Sequence, residues 1–526
     1  MGDYDEDTAF LGQTGPYYWT TFFLLNMVFV STGFNGLYIV FVGATPKHHC
    51  LIPDVNLTEE WRNAIIPITA VGGEEVQSQC SRYKLDVVRN LSAEGYIPRK
   101  DVNLTSLEQE GCLDGWNYSK EIYQSNIVTE WDLVCSNQWK VPFASSTLFV
   151  GYLFGSLISG QFSDRFGRKK VVFISLAAQC VAVLLQSFSY SWRMFCIMFL
   201  FVGASQISIY ISAFVLGTET LSPKARVVFC SLGVFMCSAL GYMMMPAVAY
   251  FLREWRLLLI AMAASGVIYI PLWWILPESP RWLISQGRVK DAEVILRGAA
   301  RAGNIEVPQS IFTKAEIEDA VAKKDKKYNI TAILSNSNAL LITLLCSFLW
   351  IVITISYYAL MLNTSNLHGD PYLNCFISAV TEVPAYLIAL LSLQYCSRHF
   401  CQASTLFVGG VMILCVHLIP IGLPSVSILL EMLGKFGITA SFCVVYAVSS
   451  EVFATVIRNM AMGCCSMAAR VGTIISPFII YLGQYYKSLP YILMGSLAIC
   501  GAVACLLLPE THKKPLPETI PQMLQI

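Results

Sequence analysis

Apolar residues run through this chain in long blocks, and about twenty in a row are needed for a helix to cross a lipid bilayer. Twelve such blocks stand out, near 18–42, 142–162, 171–190, 194–216, 228–251, 256–276, 338–361, 372–394, 402–422, 426–449, 460–483 and 489–508. Backbone polar groups cannot go unpaired in hydrocarbon, so blocks of this length read as helices rather than open sheet. Pro246, Pro384 and Pro477 fall inside blocks, which is tolerated in lipid when neighbours re-satisfy the freed backbone. Polar residues concentrate in two stretches, 43–141 and 277–337. The expected division is a terminus at 1–17, a first helix at 18–42, a polar domain at 43–141, and five further helices at 142–276. A linker at 277–337, six more helices at 338–508 and a tail at 509–526 complete it. The predicted class is an all-α membrane protein of two six-helix bundles.

Charge gives the blocks a direction. The short loop 163–170 (SDRFGRKK) holds four Lys and Arg and the stretch 277–337 holds ten, whereas 362–371 and 423–425 hold none. The positive-inside rule places the basic loops and both termini in the cytoplasm. The first residues, MGDYDED, lack a basic leader region, so no cleavable signal peptide is expected. Residues 43–141 then lie outside, where glycosylation and disulfides belong. The stretch carries sequons at Asn56, Asn90, Asn103 and Asn117 and the cysteines Cys50, Cys80, Cys112 and Cys135. Four cysteines allow three pairings, and spacing does not choose among them. Asn329, in the linker, and Asn363, at a membrane end, are expected to stay unmodified.

Composition adds exclusions. Charged residues make up 13% of the chain, about half the usual share of a soluble protein, and mean hydropathy is +0.56. Zero net charge argues against nucleic acid as a partner. No metal-ligand spacing and no nucleophile–base set is visible, so neither an enzyme nor a resident cofactor is expected.

The chain repeats itself. Glu219 and Arg226 recur as Glu451 and Arg458, and Pro277-Glu278-Ser279 recurs as Pro509-Glu510-Thr511, all at an offset of 232 residues. Span 4 therefore matches span 10 and span 6 matches span 12, the parallel duplication of a carrier with a cavity between its halves. An adhesion or receptor protein built on residues 43–141 is the competing class, and the repeat argues against it.

Two ionisable residues sit deep in apolar helices, Glu382 in span 8 and Arg470 in span 11. Each costs about 2.5–3.5 kcal/mol to place at mid-bilayer, which marks a ligand or ion path. A guanidinium fork suits a carboxylate, and a carboxylate suits an ammonium group, so the expected cargo is a small zwitterion or organic cation. Aromatic faces are the natural partners of a quaternary ammonium. Trp350 and Tyr357, seven apart on one face of span 7, are candidates, with Tyr358, Tyr210, Tyr242 and Tyr446. Gln206 is a further cavity candidate. Thr32, Asn35, Gln206 and Ser208 form a candidate ion site. The alternative for each is plain packing, and for Glu382 and Arg470 a structural pair. Glu431 and Lys435, four apart in span 10, are expected to satisfy each other.

The loop Gly160-x-x-x-Asp164-Arg165-x-Gly167-Arg168-Lys169 matches the signature between spans 2 and 3 of the major facilitator superfamily. Gly160 is expected to permit tight packing and Gly167 a short turn. Asp164, Arg165, Arg168, Glu219, Arg226, Glu451 and Arg458 form a candidate cytoplasmic gate, pairing across the halves when the carrier opens outward. Neutralising Glu451 is then expected to slow uptake at unchanged surface abundance. The second-half counterpart near Arg398 looks degenerate. Segments 288–301 and 314–327 of the linker read as short charged helices.

MGDYDEDTAFLG, CLDGW, IVTEWDLVC, SGQFSDRFGRKK, PESPRWLISQGR and LPYILMGSL together resemble the solute carrier 22 family, above all its organic cation/carnitine transporters. The resemblance runs from Asp3 to about Met523. It implies plasma-membrane carriers of carnitine, acylcarnitines, ergothioneine and cations such as tetraethylammonium, with sodium as a candidate coupling ion for zwitterions. It also implies the disulfides Cys50–Cys112 and Cys80–Cys135. Family cation carriers tend to be acidic at the positions of Glu382 and Arg470, and anion carriers basic at both; this chain has one of each. It departs from the pattern in Thr32 and Ile209, where carnitine-type members carry Asn, and in EVFAT at 451–455 where ELYPT is usual. Ile209 offers no oxygen to a hard cation, which sets the residue against the sodium expectation. The string Gly217 to Lys224 lacks the order of a nucleotide-binding loop and follows a helix, so nucleotide is not an expected ligand. An organic-anion or sugar carrier of the same fold is the runner-up, since PESPRW also occurs in sugar porters.

Overall fold

The computed structural model describes residues 2–71, 74–309, 311–312, 314, 317–318, 331–420 and 422–525. Asn329 and most of the expected helix 314–327 lie outside the described residues. Eleven helices among them are long and apolar enough to cross a membrane: Pro16–Val42, Cys135–Phe166, Arg168–Ser187, Trp192–Thr220, Pro223–Phe251, Trp255–Ile275, Ser337–Asn366, Pro371–Tyr395, Arg398–Val416, Pro424–Val452 and Thr455–Gln484. A shorter apolar helix, Leu489–Cys505, follows. These twelve, numbered here as spans 1 to 12, fall on the twelve expected blocks, so the chain is a multi-pass membrane protein.

The chain divides into two compact units, one of residues 41–141 with 252–257, the other holding the remainder. Within the smaller unit, three two-stranded antiparallel sheets pair His48–Cys50 with Trp116–Tyr118, Ile68–Val71 with Glu74–Gln77, and Ser81–Tyr83 with Gln109–Gly111. Disulfides join Cys50 to Cys112 and Cys80 to Cys135, as the family resemblance implies. Trp61, fully buried among Ile65, Tyr83 and Val88, centres a small apolar core. Asn56, Asn90, Asn103 and Asn117 are all exposed.

The larger unit is the helical body. Close helix crossings there depend on glycine. An added Cβ on Gly33 of span 1 would come within 2.0 Å of the Ser238 carbonyl oxygen on span 5, and one on Gly241 within 2.1 Å of Val30 O. No L side chain fits either crossing, so spans 1 and 5 are held backbone to backbone. Span 1 itself breaks after Phe34, with Asn35 as its C-cap, before a last turn at Ile39–Val42. Gly167 meets its expected turn, with φ +106° and a would-be Cβ 2.6 Å from Glu278 Oε2. Gly160 does not: a Cβ there would meet nothing within 4 Å, so tight packing is not its role in this state.

The linker opens with the helix Pro280–Ser285, capped by Ser279, and continues in Val289–Ala302. Trp282, Leu296 and Ala300 pack with Leu11, Tyr18 and Tyr4 of the N-terminal segment. Asp5 ties that segment down through Arg226 at 3.2 Å and Arg281 at 3.0 Å.

Candidate functional site: a tyrosine-walled cavity and two matched ion clusters

A cavity of about 170 Å³ lies within the helical body, walled by residues of both six-helix halves. Span 1 brings Thr32, Gly33 and Gly36; span 4 brings Gln206 and Tyr210; span 5 brings Phe235, Ser238 and Tyr242. From the second half come Tyr357 and Tyr358 on span 7, Glu382 and Tyr386 on span 8, Phe442 and Tyr446 on span 10, and Arg470 on span 11. Tyr152 of span 2 completes a wall of seven tyrosines. Glu382 and Tyr386 are four apart, and Phe442 and Tyr446 likewise, so one helix face of each span turns inward.

Glu382 and Arg470 both reach this wall, in unlike states. Glu382, 3% exposed, accepts on Oε1 from Lys435 Nζ at 3.0 Å and from the Tyr357 hydroxyl. Lys435 Nζ also lies 3.9 Å from the Tyr357 ring centroid. Both contacts fall on one oxygen, leaving Oε2 outside the pair. Arg470 has no carboxylate within ion-pair range among the described residues, and its Nε is buried without an acceptor. Its guanidinium carbon stands 5.9 Å from the Tyr152 ring. Two more wall residues hold buried unpartnered atoms, Gln206 Oε1 and Ser238 Oγ. Buried polar groups are normally hydrogen-bonded, so such a set in one wall marks where a ligand's groups belong. With Glu382 neutralised by Lys435, the site carries one net positive charge, on Arg470.

The expected Glu431–Lys435 pair does not form. Lys435 crosses to Glu382 on span 8, and Glu431 instead accepts from Asn363 Nδ2 at 2.7 Å and the Tyr491 hydroxyl at 3.1 Å. Spacing along one helix set the expectation; a neighbouring span supplied the nearer charge. The Asn363 amide is thereby committed inside the bundle.

Trp350 is displaced from its expected place. It stands behind the wall, donating Nε1–H to Ser449 Oγ at 2.8 Å and packing edge-on against Tyr446 with centroids 4.7 Å apart. Of the candidate ion site, Thr32 and Gln206 line the cavity, and Gln206 Nε2 donates to the Thr32 carbonyl at 3.1 Å. Asn35 and Ser208 do not line it: their side chains donate to Ser31 O and Ala204 O. Residues 206 and 208 are two apart on a helix and so point about 200° apart. Ile209 packs in the apolar core with Phe29 and Leu216. Tyr152, Phe235, Ser238, Tyr386 and Phe442 were not expected; four-residue spacing from Glu382, Tyr242 and Tyr446 was the signal available for Tyr386, Ser238 and Phe442.

Contacts between the halves occur at mid-span, where Phe235 packs on Tyr386 with centroids 5.0 Å apart, and where span 2 begins and span 7 ends. Ser146 Oγ donates to Ile474 O at 2.9 Å, Phe149 packs on Tyr358, and Tyr250 packs edge-on against Tyr372. At the other end of spans 2 and 11, Gly160 and Gly463 both face open space.

That other end carries the charged motif residues, arranged as two matched clusters. In the first half Arg168 binds Glu219 through Nε and Nη2, at 3.3 and 3.0 Å, and Asp164 at 2.5 Å. Ser279 Oγ donates to Glu219, and Glu278 accepts from the Lys169 backbone. In the second half Arg398 binds Glu451 at 2.9 and 3.0 Å, Thr511 Oγ1 donates to Glu451, and Glu510 accepts from the His399 backbone. Burial pushes the Glu510 carboxyl up, but the N–H groups of His399, Arg398 and His512 outweigh it and hold it below the usual range. Arg226 and Arg458 also correspond, donating to Leu221 O and Phe453 O. The region around Arg398 looks degenerate in sequence, yet it builds the same cluster with His for Lys and Thr for Ser, lacking only the Asp164 arm, in whose place Arg398 Nη1 donates to Leu393 O. Among the described residues no ion pair here crosses between halves: Glu451 meets Arg398, not Asp164, Arg165 or Arg168. Because the clusters match, Glu219→Gln and Glu451→Gln are expected to slow uptake alike, each by about 10- to 100-fold, for loss of a hydrogen-bonded charge pair of about 1.5–3 kcal/mol. Initial uptake rates normalised to surface protein check this, and a large effect confined to one half would show that the clusters do different jobs.

Residues 115–524 match the model of the family described as sugar (and other) transporter. The chain is 50% identical over 527 residues to organic cation/carnitine transporter 2 of Homo sapiens, covering all of this chain and 95% of that one. It is 48% identical to solute carrier family 22 member 4 of Mus musculus, at the same coverage. Among solved structures, the inward open conformation of the E. coli xylose transporter XylE aligns with a TM-score of 0.61 at 14% identity, over 95% of this chain and 98% of that one.

Proposed function

We propose, from the premise that this chain belongs to the solute carrier 22 family of major facilitator transporters, among its organic cation/carnitine carriers, that it moves zwitterions of the carnitine type by alternating access. The observation that carries the reading is Arg470: a half-buried guanidinium with a buried, unpartnered Nε and no carboxylate in ion-pair range among the described residues, in the wall of an aromatic cavity between two halves. A substrate carboxylate fills the fork, and the tyrosine faces take the trimethylammonium group, each ring contributing about 0.5–2 kcal/mol. Glu382 Oε2 adds attraction for that cation. Ergothioneine offers the same two groups; tetraethylammonium offers the cationic one alone. An anion or sugar carrier is disfavoured, because an anion leaves the tyrosine faces without a cation and a neutral sugar leaves Arg470 unmatched.

Further proposals rest on the loop charges. Residues 43–141 are placed outside the cell with glycans on Asn56, Asn90, Asn103 and Asn117, and both termini inside, at the plasma membrane. The state described is then closed outward and open inward, with the gate residues parted into their own halves. Sodium symport gains little support, since of the four candidate ligands only Thr32 and Gln206 face the cavity and a hard cation prefers six or so oxygens. Uptake of labelled carnitine, ergothioneine and tetraethylammonium, each with and without external sodium, tests the reading. Carnitine uptake is expected to change less than about twofold on replacing sodium. Failure of all three solutes to accumulate in proteoliposomes would end the proposal.

A further inference from the structure

A second cavity, of about 340 Å³, lies outside the transport path, between the start of span 3, the end of span 6 and the linker helices. Lys169, Lys170 and Arg288 stand around it, and Trp273, Trp282 and Leu283 form its apolar walls. Two carboxylates also line it, but both are engaged. Glu278 accepts from the backbone N–H of Lys169 and of Ser279 at 2.9–3.3 Å, and Asp291 pairs with Arg288 at 2.8 Å. The Asp291–Arg288 pair is half exposed and so worth little, which leaves Arg288 free to exchange partners. Lys169 Nζ rests 4.6 Å from the Trp273 ring, and neither it nor Lys170 has a carboxylate within ion-pair range among the described residues.

The surroundings are apolar and outward-facing. Trp274 is 76% exposed, Ile275 54% and Val294 69%, and all adjoin the cavity's lining in sequence or belong to it. Exposed tryptophans at the end of a membrane span mark the headgroup level of a bilayer. An amphipathic helix, Val289–Ala302, buries Ala292, Leu296 and Ala299 and turns Lys290, Val294 and Arg297 away from them. A cationic hollow at headgroup depth, with an apolar rim, has the parts needed to hold a phosphate whose tails lie in the membrane.

We infer that this cavity binds the phosphorylated headgroup of an anionic lipid, with Lys169, Lys170 and Arg288 as its ligands. The inference rests on the cytoplasmic placement of residues 277–337, where anionic lipids concentrate. The shared chemistry is a phosphate group, which a free anion also carries, so the test separates the two.

The full-length protein in detergent is titrated with phosphatidylinositol bisphosphate, phosphatidylserine or phosphatidylcholine, and bound lipid is counted by native mass spectrometry. Detergent removes sidedness from the readout, so an error in orientation cannot masquerade as failure of the site. Bisphosphate lipid is expected to be retained over phosphatidylcholine, with Lys170→Gln and Arg288→Gln each weakening it about fivefold. The off-cavity pair Lys290→Gln/Arg301→Gln should leave retention unchanged. Equal loss in that pair would reduce the effect to general surface charge and overturn the proposal. Competition by inositol trisphosphate or inorganic phosphate at the lipid's own concentration would overturn the lipid in favour of a soluble anion. Lys170 is exposed, so its single variant carries the test should the Arg288 variant fail to fold, as judged by thermal unfolding in phosphatidylcholine.

Discussion

Arg470→Gln is expected to lower carnitine uptake by about 10- to 100-fold while tetraethylammonium uptake falls far less. A hydrogen-bonded charge contact is worth about 1.5–3 kcal/mol, and each 1.4 kcal/mol is a factor of ten in affinity. The size of the effect follows from what surrounds the guanidinium. Among the described residues no carboxylate lies within ion-pair range of it, so on the proposed reading a substrate carboxylate is its counter-charge in the loaded state. Gln keeps the volume and two donors but removes the charge and the fork, which Lys could not restore either. Tetraethylammonium has no carboxylate and meets the tyrosine faces and Glu382, of which the substitution touches only the Tyr152 and Tyr358 side of the wall. Arg470→Asp should go further, turning the wall net negative and raising uptake of the cation. Competition curves for the two solutes on the same cells, normalised to surface protein, provide the measurement. A parallel fall for both would mean that Arg470 supports the fold rather than the carboxylate, and the zwitterion reading would lose its ground.

Lys435→Met should be the most destabilising change in the transport cavity's surroundings. Lys435 is 1% exposed and its ammonium lies 3.0 Å from Glu382. Removing one partner of a buried pair leaves the other uncompensated, at a cost of about 3–5 kcal/mol. Replacing both, as Lys435→Met with Glu382→Gln, returns most of that, because desolvating two charges offsets most of their attraction. The expected order of melting temperatures in detergent is wild type, closely followed by the double variant, with Lys435→Met clearly lowest. Where Lys435→Met still reaches the surface, its ratio of cation to carnitine uptake should rise, since Glu382 then faces the cavity as a bare carboxylate. An unchanged melting temperature would show that water in the cavity already solvates Glu382, and the pair would be incidental.

The division of labour between chain and fold is visible in particular residues. Twelve spans, the 232-residue repeat and the two membrane-buried charges could be read from the chain, because hydrocarbon imposes a one-dimensional rule: about twenty apolar residues per crossing, and no stray charge without a reason. The same rule left partner choice open. Glu431 and Lys435 are four apart and could have met, yet each found its partner on another helix, through contacts that link residues 53 and 68 positions apart. Trp350 and Tyr357 share a face by spacing, but the rotation of span 7 put one behind Tyr446 and the other on Glu382. Arg398 shows the opposite lesson: its local motif is worn away, and the cluster survives because a guanidinium, two carboxylates and a hydroxyl need only arrive at the right places in space. Which helices cross the membrane was settled by transfer energy along the chain; which side chains share a cavity was settled by how those helices turn against one another.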